Sequence, residues 1–243
     1  MTPDSKRIAM WSGPRNLSTA MMYSFAARGD CQVWDEPFYA AYLKATSMDH
    51  PMRDEVIAAG LSESSQVAAA CLAPLNAGQS LFYQKHMTLH MIPDFDRSFT
   101  RGLTNVFLIR HPARVVASYA KKRESPTLAD IGFVQQAALF DEVADWMGCA
   151  PLVVSAEDTR ATPHASLTRL CAALGIPFVD SMLRWDAGPK PYDGAWAPHW
   201  YNAVHASTGF DEPEGPLPHL SADFQRLVDQ ALPHYERLQA FRL

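Results

Sequence analysis

Several absences narrow what this chain can be. Its 243 residues include four cysteines, Cys31, Cys71, Cys149 and Cys171, and none of them forms a C-x-x-C pair. Scattered thiols fit a reducing compartment better than a disulfide framework. No segment approaches the apolar length that spans a bilayer, and no apolar signal region opens the chain. A cytoplasmic protein with no membrane partner is therefore expected. Basic charge is not in excess, since the formal net charge is −5, and this argues against a nucleic-acid partner. Neither an internal repeat nor a linker interrupts the chain, so residues 1–243 read as one domain. At 48% hydrophobic residues, the chain can fill a core and is too apolar to be disordered.

Five short apolar runs are present, at residues 8–11, 32–34, 81–84, 105–109 and 152–154. Four of them end in charged or polar groups: Asp35-Glu36-Pro37, Lys85-His86, Arg110-His111-Pro112 and Ser155-Ala156-Glu157-Asp158. Helical spacing of apolar residues marks 17–27, 62–75, 112–122, 131–147 and 163–174, with Gly175 as a stop. Strands alternating with helices predict an α/β fold, a parallel sheet of about five strands flanked by helices. In such sheets ligands bind where strands end, which is where the charged residues gather. Residues 44–60 are polar and read as an excursion or cap near the site. Residues 186–220 have no period but carry Trp196, Trp200 and Tyr201, and read as an ordered lid. From Ser221 a helical pattern runs to the end, with a bend expected at Pro233.

The first run leads into Gly13-Pro14-Arg15-Asn16-Leu17-Ser18-Thr19, ahead of a helix. A strand, a tight turn, a cation, hydroxyls and a helix N-terminus make an anion-binding turn. The ATP-binding loop needs G-x-x-x-x-G-K-S/T, and no Gly-Lys pair stands here. After the fourth run, Arg110 is followed eight residues later by Ser118. A guanidinium and a hydroxyl brought together by the helix can hold one phosphate.

Taken together these two motifs resemble the sulfotransferases that use 3′-phosphoadenosine-5′-phosphosulfate (PAPS). The resemblance implies a P-loop-type fold and PAPS as co-substrate, with no metal. It implies that the Gly13–Thr19 turn holds the 5′-phosphosulfate, with Arg15 as its cation, and that Arg110 and Ser118 hold the 3′-phosphate. Asp35-Glu36-Pro37-Phe38 and the Val154–Asp158 segment are similar to further family segments. Gly188-Pro189-Lys190 loosely resembles the family's late Arg-Lys-Gly loop, making Lys190 a candidate donor contact. Leu17 stands where the family's loop has glycine, and Ala156 where many members carry a tyrosine against the adenine.

Sulfuryl transfer needs a base, cations at the leaving oxygen and in-line geometry. Glu36, beside Trp34 and Phe38, is the favoured base, its pKa expected to rise on partial burial. Asp35 is expected to cap the following turn. His86 is the rival base and His90 a weaker one, while Lys85 is placed as a cation near the bridging oxygen. His199 and His205 lack a third metal ligand at suitable spacing. The acceptor is expected to be a small molecule with a hydroxyl or amine. A kinase using ATP, or a nucleotide-binding protein without catalysis, are the alternatives. Oligomeric state is not legible.

Overall fold

A computed structural model of the chain describes residues 5–121 and 125–243. Strands β1 (Lys6–Ser12), β2 (Cys31–Asp35), β3 (Leu81–Met87), β4 (Thr104–Ile109) and β5 (Leu152–Ser155) form one parallel sheet, in the order β2-β3-β1-β4-β5. Each predicted apolar run lies inside one of these strands. The helices are α1 (Ser18–Ala26), α2 (Tyr39–Thr46), α3 (Arg53–Ala59), α4 (Ser64–Cys71), α5 (Pro112–Ala120) and α6 (Leu128–Ile131). They continue with α7 (Phe133–Met147), α8 (Ala156–Ala161), α9 (Pro163–Leu174), α10 (Ala197–Trp200), α11 (Asn202–His205) and α12 (Ala222–Gln239).

Alternation along the strands divides the core in two. Ile8, Met10, Val106, Leu108 and Val154 face one layer, with α1 and α9. Ala9, Trp11, Phe107, Ile109 and Val153 face the other, with α7 and α12. Helix cover on both faces is what a parallel sheet requires. Truncating a fully buried side chain such as Leu108 to Ala should cost about 2–5 kcal/mol.

The helix ends follow local chemistry. Pro112 opens α5 at a first-turn position. Lys122, the expected last residue of this helix, lies outside the described residues. Ser155 caps α8 by accepting from the Asp158 N–H at 3.1 Å. Gly175 ends α9 in a left-handed conformation, φ 66°, as expected of a C-terminal stop.

Helix boundaries shift from those expected. The helix expected at 131–147 begins two residues later, at Phe133, because Gly132, φ 74°, separates it from α6. Residues 44–60, read as an excursion or cap, hold the end of α2 and all of α3, with Val56 buried, and Thr46, Met48 and His50 reach the cleft described below. The helix expected at 62–75 is shorter, ending at Cys71. Helix α12 runs through Pro233.

Candidate active site

At the carboxyl ends of the strands opens a cleft of about 800 Å³. Pro14, Arg15, Asn16, Leu17, Ser18, Thr19, Glu36, Lys85, Arg110 and Ser118 all line it. The loop after β1 makes its floor. Arg15 and Leu17 both hold positive φ, 63° and 68°. For Leu17 this left-handed backbone costs about 1–2 kcal/mol that a glycine would avoid. The turn therefore closes at Leu17 as a glycine turn would, under strain. Strained backbone concentrates at functional sites, and Glu36, φ 40°, is a third such residue beside the same cleft.

Gly13 lies beneath the cleft rather than on it. A Cβ there would stand 3.0 Å from the Ile131 carbonyl oxygen, so the close approach of α6 calls for glycine. Helix α1 begins without a side-chain cap. Its leading N–H groups are left for water or an anion.

Arginines form one end of the cleft. Arg15 Nε donates to Ser118 Oγ at 3.0 Å, and Arg110 Nη1 donates to the Arg15 carbonyl at 2.6 Å. The two predicted phosphate motifs therefore meet, although 103 residues separate Arg15 from Ser118. Arg15 has no carboxylate partner among the described residues. Burial first, and then the Arg110 charge, lower its pKa from the ordinary 12.5. Arginine nonetheless stays protonated, and a bound anion would relieve that repulsion.

Lys85 forms the other charged centre and is 1% exposed. Its Nζ donates to Asp35 Oδ1 at 2.9 Å, to Glu36 Oε1, and to the Tyr201 hydroxyl at 2.9 Å. Burial opposes its charge, but Asp35 and Glu36 outweigh burial and raise its pKa well above 10.5. Asp35 does not cap a turn as expected. It is buried, and its Oδ2 accepts from the Tyr201 hydroxyl at 2.8 Å and from the Gly194 N–H at 3.1 Å. Tyr201 in turn accepts from Trp196 Nε1 at 3.1 Å. The expected lid is thus pinned to the ends of β2 and β3, with Trp196 and Tyr201 buried beneath it.

His86 is not at the site. Side chains alternate along β3, so Lys85 faces the cleft and His86 the core. There His86 stacks on Trp11 at 4.3 Å between ring centroids and bonds Gln84 at 3.1 Å. Burial, then His90 and Lys85, push its pKa down to about 3. A neutral core imidazole cannot serve as base in the cleft. Lys190 is corrected as well: its Nζ donates to the Asp186 carbonyl at 2.7 Å, and it lines a neighbouring hollow. His205 pairs with Asp193 at 2.9 Å, and no group of three metal-ligating side chains exists among the described residues.

A family model described as a sulfotransferase domain matches residues 6–242. This chain belongs to that family. Two curated relatives from Arabidopsis thaliana, branched-chain-amino-acid aminotransferase-like proteins 1 and 2, are 36% and 35% identical to this sulfotransferase domain over 96% of its length. The chain spans 41% of the length of each, so their names describe proteins that it matches only in part. The sulfotransferase domain from the curacin biosynthetic pathway shares the fold, with TM-score 0.50 and 17% identity. That match covers 93% of this chain and 97% of the other.

Beyond Lys85 the cleft of this sulfotransferase domain turns apolar and aromatic. Tyr39, Tyr42, Met48, Met87, Leu89, Ile92, Pro93 and Trp200 line it. His90, the weaker candidate base, belongs here. Its ring stacks on Tyr39 at 4.5 Å and on Tyr42 at 4.9 Å, and its Nε2 lies 3.9 Å from Glu36 Oε2. Burial, then Lys85 and His50, hold its pKa well below 6.5, so it is neutral. Sequence spacing understated His90, because the short 3₁₀ turn Thr88–His90 swings it back over the strand end.

Proposed function

We propose that the chain acts as a single domain that transfers a sulfuryl group from PAPS to a hydroxyl or amine of a small, largely apolar acceptor. One observation carries this reading. An arginine end with an uncompensated Arg15 and an aromatic end meet at Lys85 and Glu36, inside a single cleft. The uncapped N-terminus of α1, Arg15, Arg110 and Ser118 suit two phosphate-type groups. An aromatic and aliphatic wall suits an apolar acceptor better than a polyanionic glycan. Unpaired cysteines support a reducing compartment, hence the cytoplasm.

PAPS supplies the sulfuryl group, and the chain supplies everything around it. Glu36 is the base. Its Oε1 is bonded to Lys85, while Oε2 faces His90 and is open to the acceptor's proton. Lys85 and Arg15 hold positive charge where the leaving oxygen becomes negative. Neutral His90 orients the acceptor hydroxyl toward Glu36.

Thermal unfolding with added nucleotides tests the reading, because a ligand that binds only the folded state raises stability. Adenosine 3′,5′-bisphosphate, the product left by PAPS, should raise the unfolding temperature, and ATP with magnesium should not. Stabilisation by ATP alone would favour a kinase and overturn the assignment. Labelled PAPS offered with phenols and aliphatic alcohols should then give labelled product.

A further inference from the structure

Glu214 lies in the segment between α11 and α12, where most side chains are exposed, yet its own side chain is only 9% exposed. It turns inward onto arginines from three separate places. It pairs with Arg110 through both carboxylate oxygens, with Arg160 Nη1 at 3.0 Å and with Arg114 Nε at 3.4 Å. Arg114 and Ser118 stand four residues apart on α5 and so share a face. Arg114 Nε, although buried, has no hydrogen-bond partner among the described residues. Arg160 and Arg110 also line the cleft itself.

The charge balance is telling. Arg110, Arg114 and Arg160 gather here against Glu214, Glu157 (3.8 Å from Arg114) and Asp211 (3.3 Å from Arg160). Glu214 completes the balance, and without it the cluster is short of one negative charge. A phosphate monoester carries about −1.5 to −2 at neutral pH and so more than replaces it, with Arg15 close by. Arginine forks also suit phosphate oxygens as well as carboxylates.

We propose that Arg114 and Arg160 join Arg110 in the 3′-phosphate subsite of the donor, and that Glu214 is its resident anion, displaced when the donor binds. This rests on the PAPS reading above. The segment carrying Glu214 is strapped by the same arginines: Arg160 donates to the Glu212 carbonyl and Arg114 to the Gly215 carbonyl. Displacement therefore loosens residues 211–216 when a 3′-phosphate enters.

Calorimetric binding of adenosine 3′,5′-bisphosphate and of adenosine 5′-monophosphate to the wild type, Glu214→Gln and Arg160→Ala tests this. Removing the internal competitor should tighten the bisphosphate roughly tenfold in Glu214→Gln and leave the monophosphate unchanged. Arg160→Ala should weaken only the bisphosphate, by a similar factor. Equal or weaker bisphosphate binding by Glu214→Gln would overturn the displacement. A wild type that does not prefer the bisphosphate to the monophosphate would overturn the PAPS reading itself. Hydrogen exchange in the wild type gives a check free of folding effects. Amides of Asp211, Glu212, Glu214 and Gly215 should exchange faster with bisphosphate than with monophosphate, and unchanged or slower exchange would count against the proposal.

Discussion

Lys85 and Arg15 stand at the ends of neighbouring strands, and both are substantially buried, yet they meet their counter-charges differently. Lys85 is enclosed by Asp35, Glu36 and Tyr201, all fixed by strand ends or by the pinned lid. Arg15 has a hydroxyl and no carboxylate among the described residues, and its neighbour Arg110 is balanced by Glu214 from a loop. A cation enclosed by rigid carboxylates holds them in place, on the proposed reading Glu36 as base, while it still lines the cleft. On the same reading, cations left short of charge, or balanced by a loop, are available to an incoming anion.

Methionine substitutions separate the two centres most sharply. Lys85→Met leaves two carboxylates without their cation and should lower stability by about 3–5 kcal/mol in denaturant titrations. Arg15→Met should change stability by less than about 1 kcal/mol. Equal losses would erase the distinction. Next in size, Glu36→Gln should lower turnover roughly 10²- to 10⁴-fold while bisphosphate affinity stays near the wild-type value. If turnover is unchanged, Glu36 is not the base, and His90→Asn becomes the variant to measure. Arg110→Ala should then weaken bisphosphate binding by about thirtyfold, or 2 kcal/mol, with little change for adenosine 5′-monophosphate.

A last effect is on pH dependence. His86 and His90 are held neutral in the fold, His86 down to about pH 3. In the unfolded chain each takes a proton near pH 6.5. The unfolded state therefore binds protons first, and stability falls as pH drops below about 6.5, by up to about 1.4 kcal/mol per unit for each imidazole. Replacing His86 by Gln should flatten this limb in unfolding measured from pH 7 to 5. An unaltered limb would place the titration elsewhere.

The parallel sheet is legible in the amino-acid sequence, and so are the two turn motifs that the fold brings together. Their signals are local: apolar runs ending in charge, and a turn with Gly, Pro and Arg ahead of a helix. Element ends are less legible. Gly132 delays one expected helix to Phe133, and the polar stretch at 44–60 hides α3, whose buried residue is Val56. Among the site residues, sequence spacing misplaces His86 and Lys190. Alternation says that Lys85 and His86 face opposite ways, but not which of them faces the cleft. Glu214 carries no signal, since its neighbours are exposed and its partners lie 54 to 104 residues away.

By itself the sequence determined the strand-ending charges, the turn without a Gly-Lys pair, and the spacing of Arg110 and Ser118. Each follows from backbone geometry over a few residues. Tertiary structure alone decided that Tyr201 and Gly194 close on Asp35, that His90 rather than His86 reaches the cleft, and that one carboxylate sits among three arginines. Those pairings depend on which strand ends lie side by side. Strand order is set by packing of the whole core, not by any local stretch of chain.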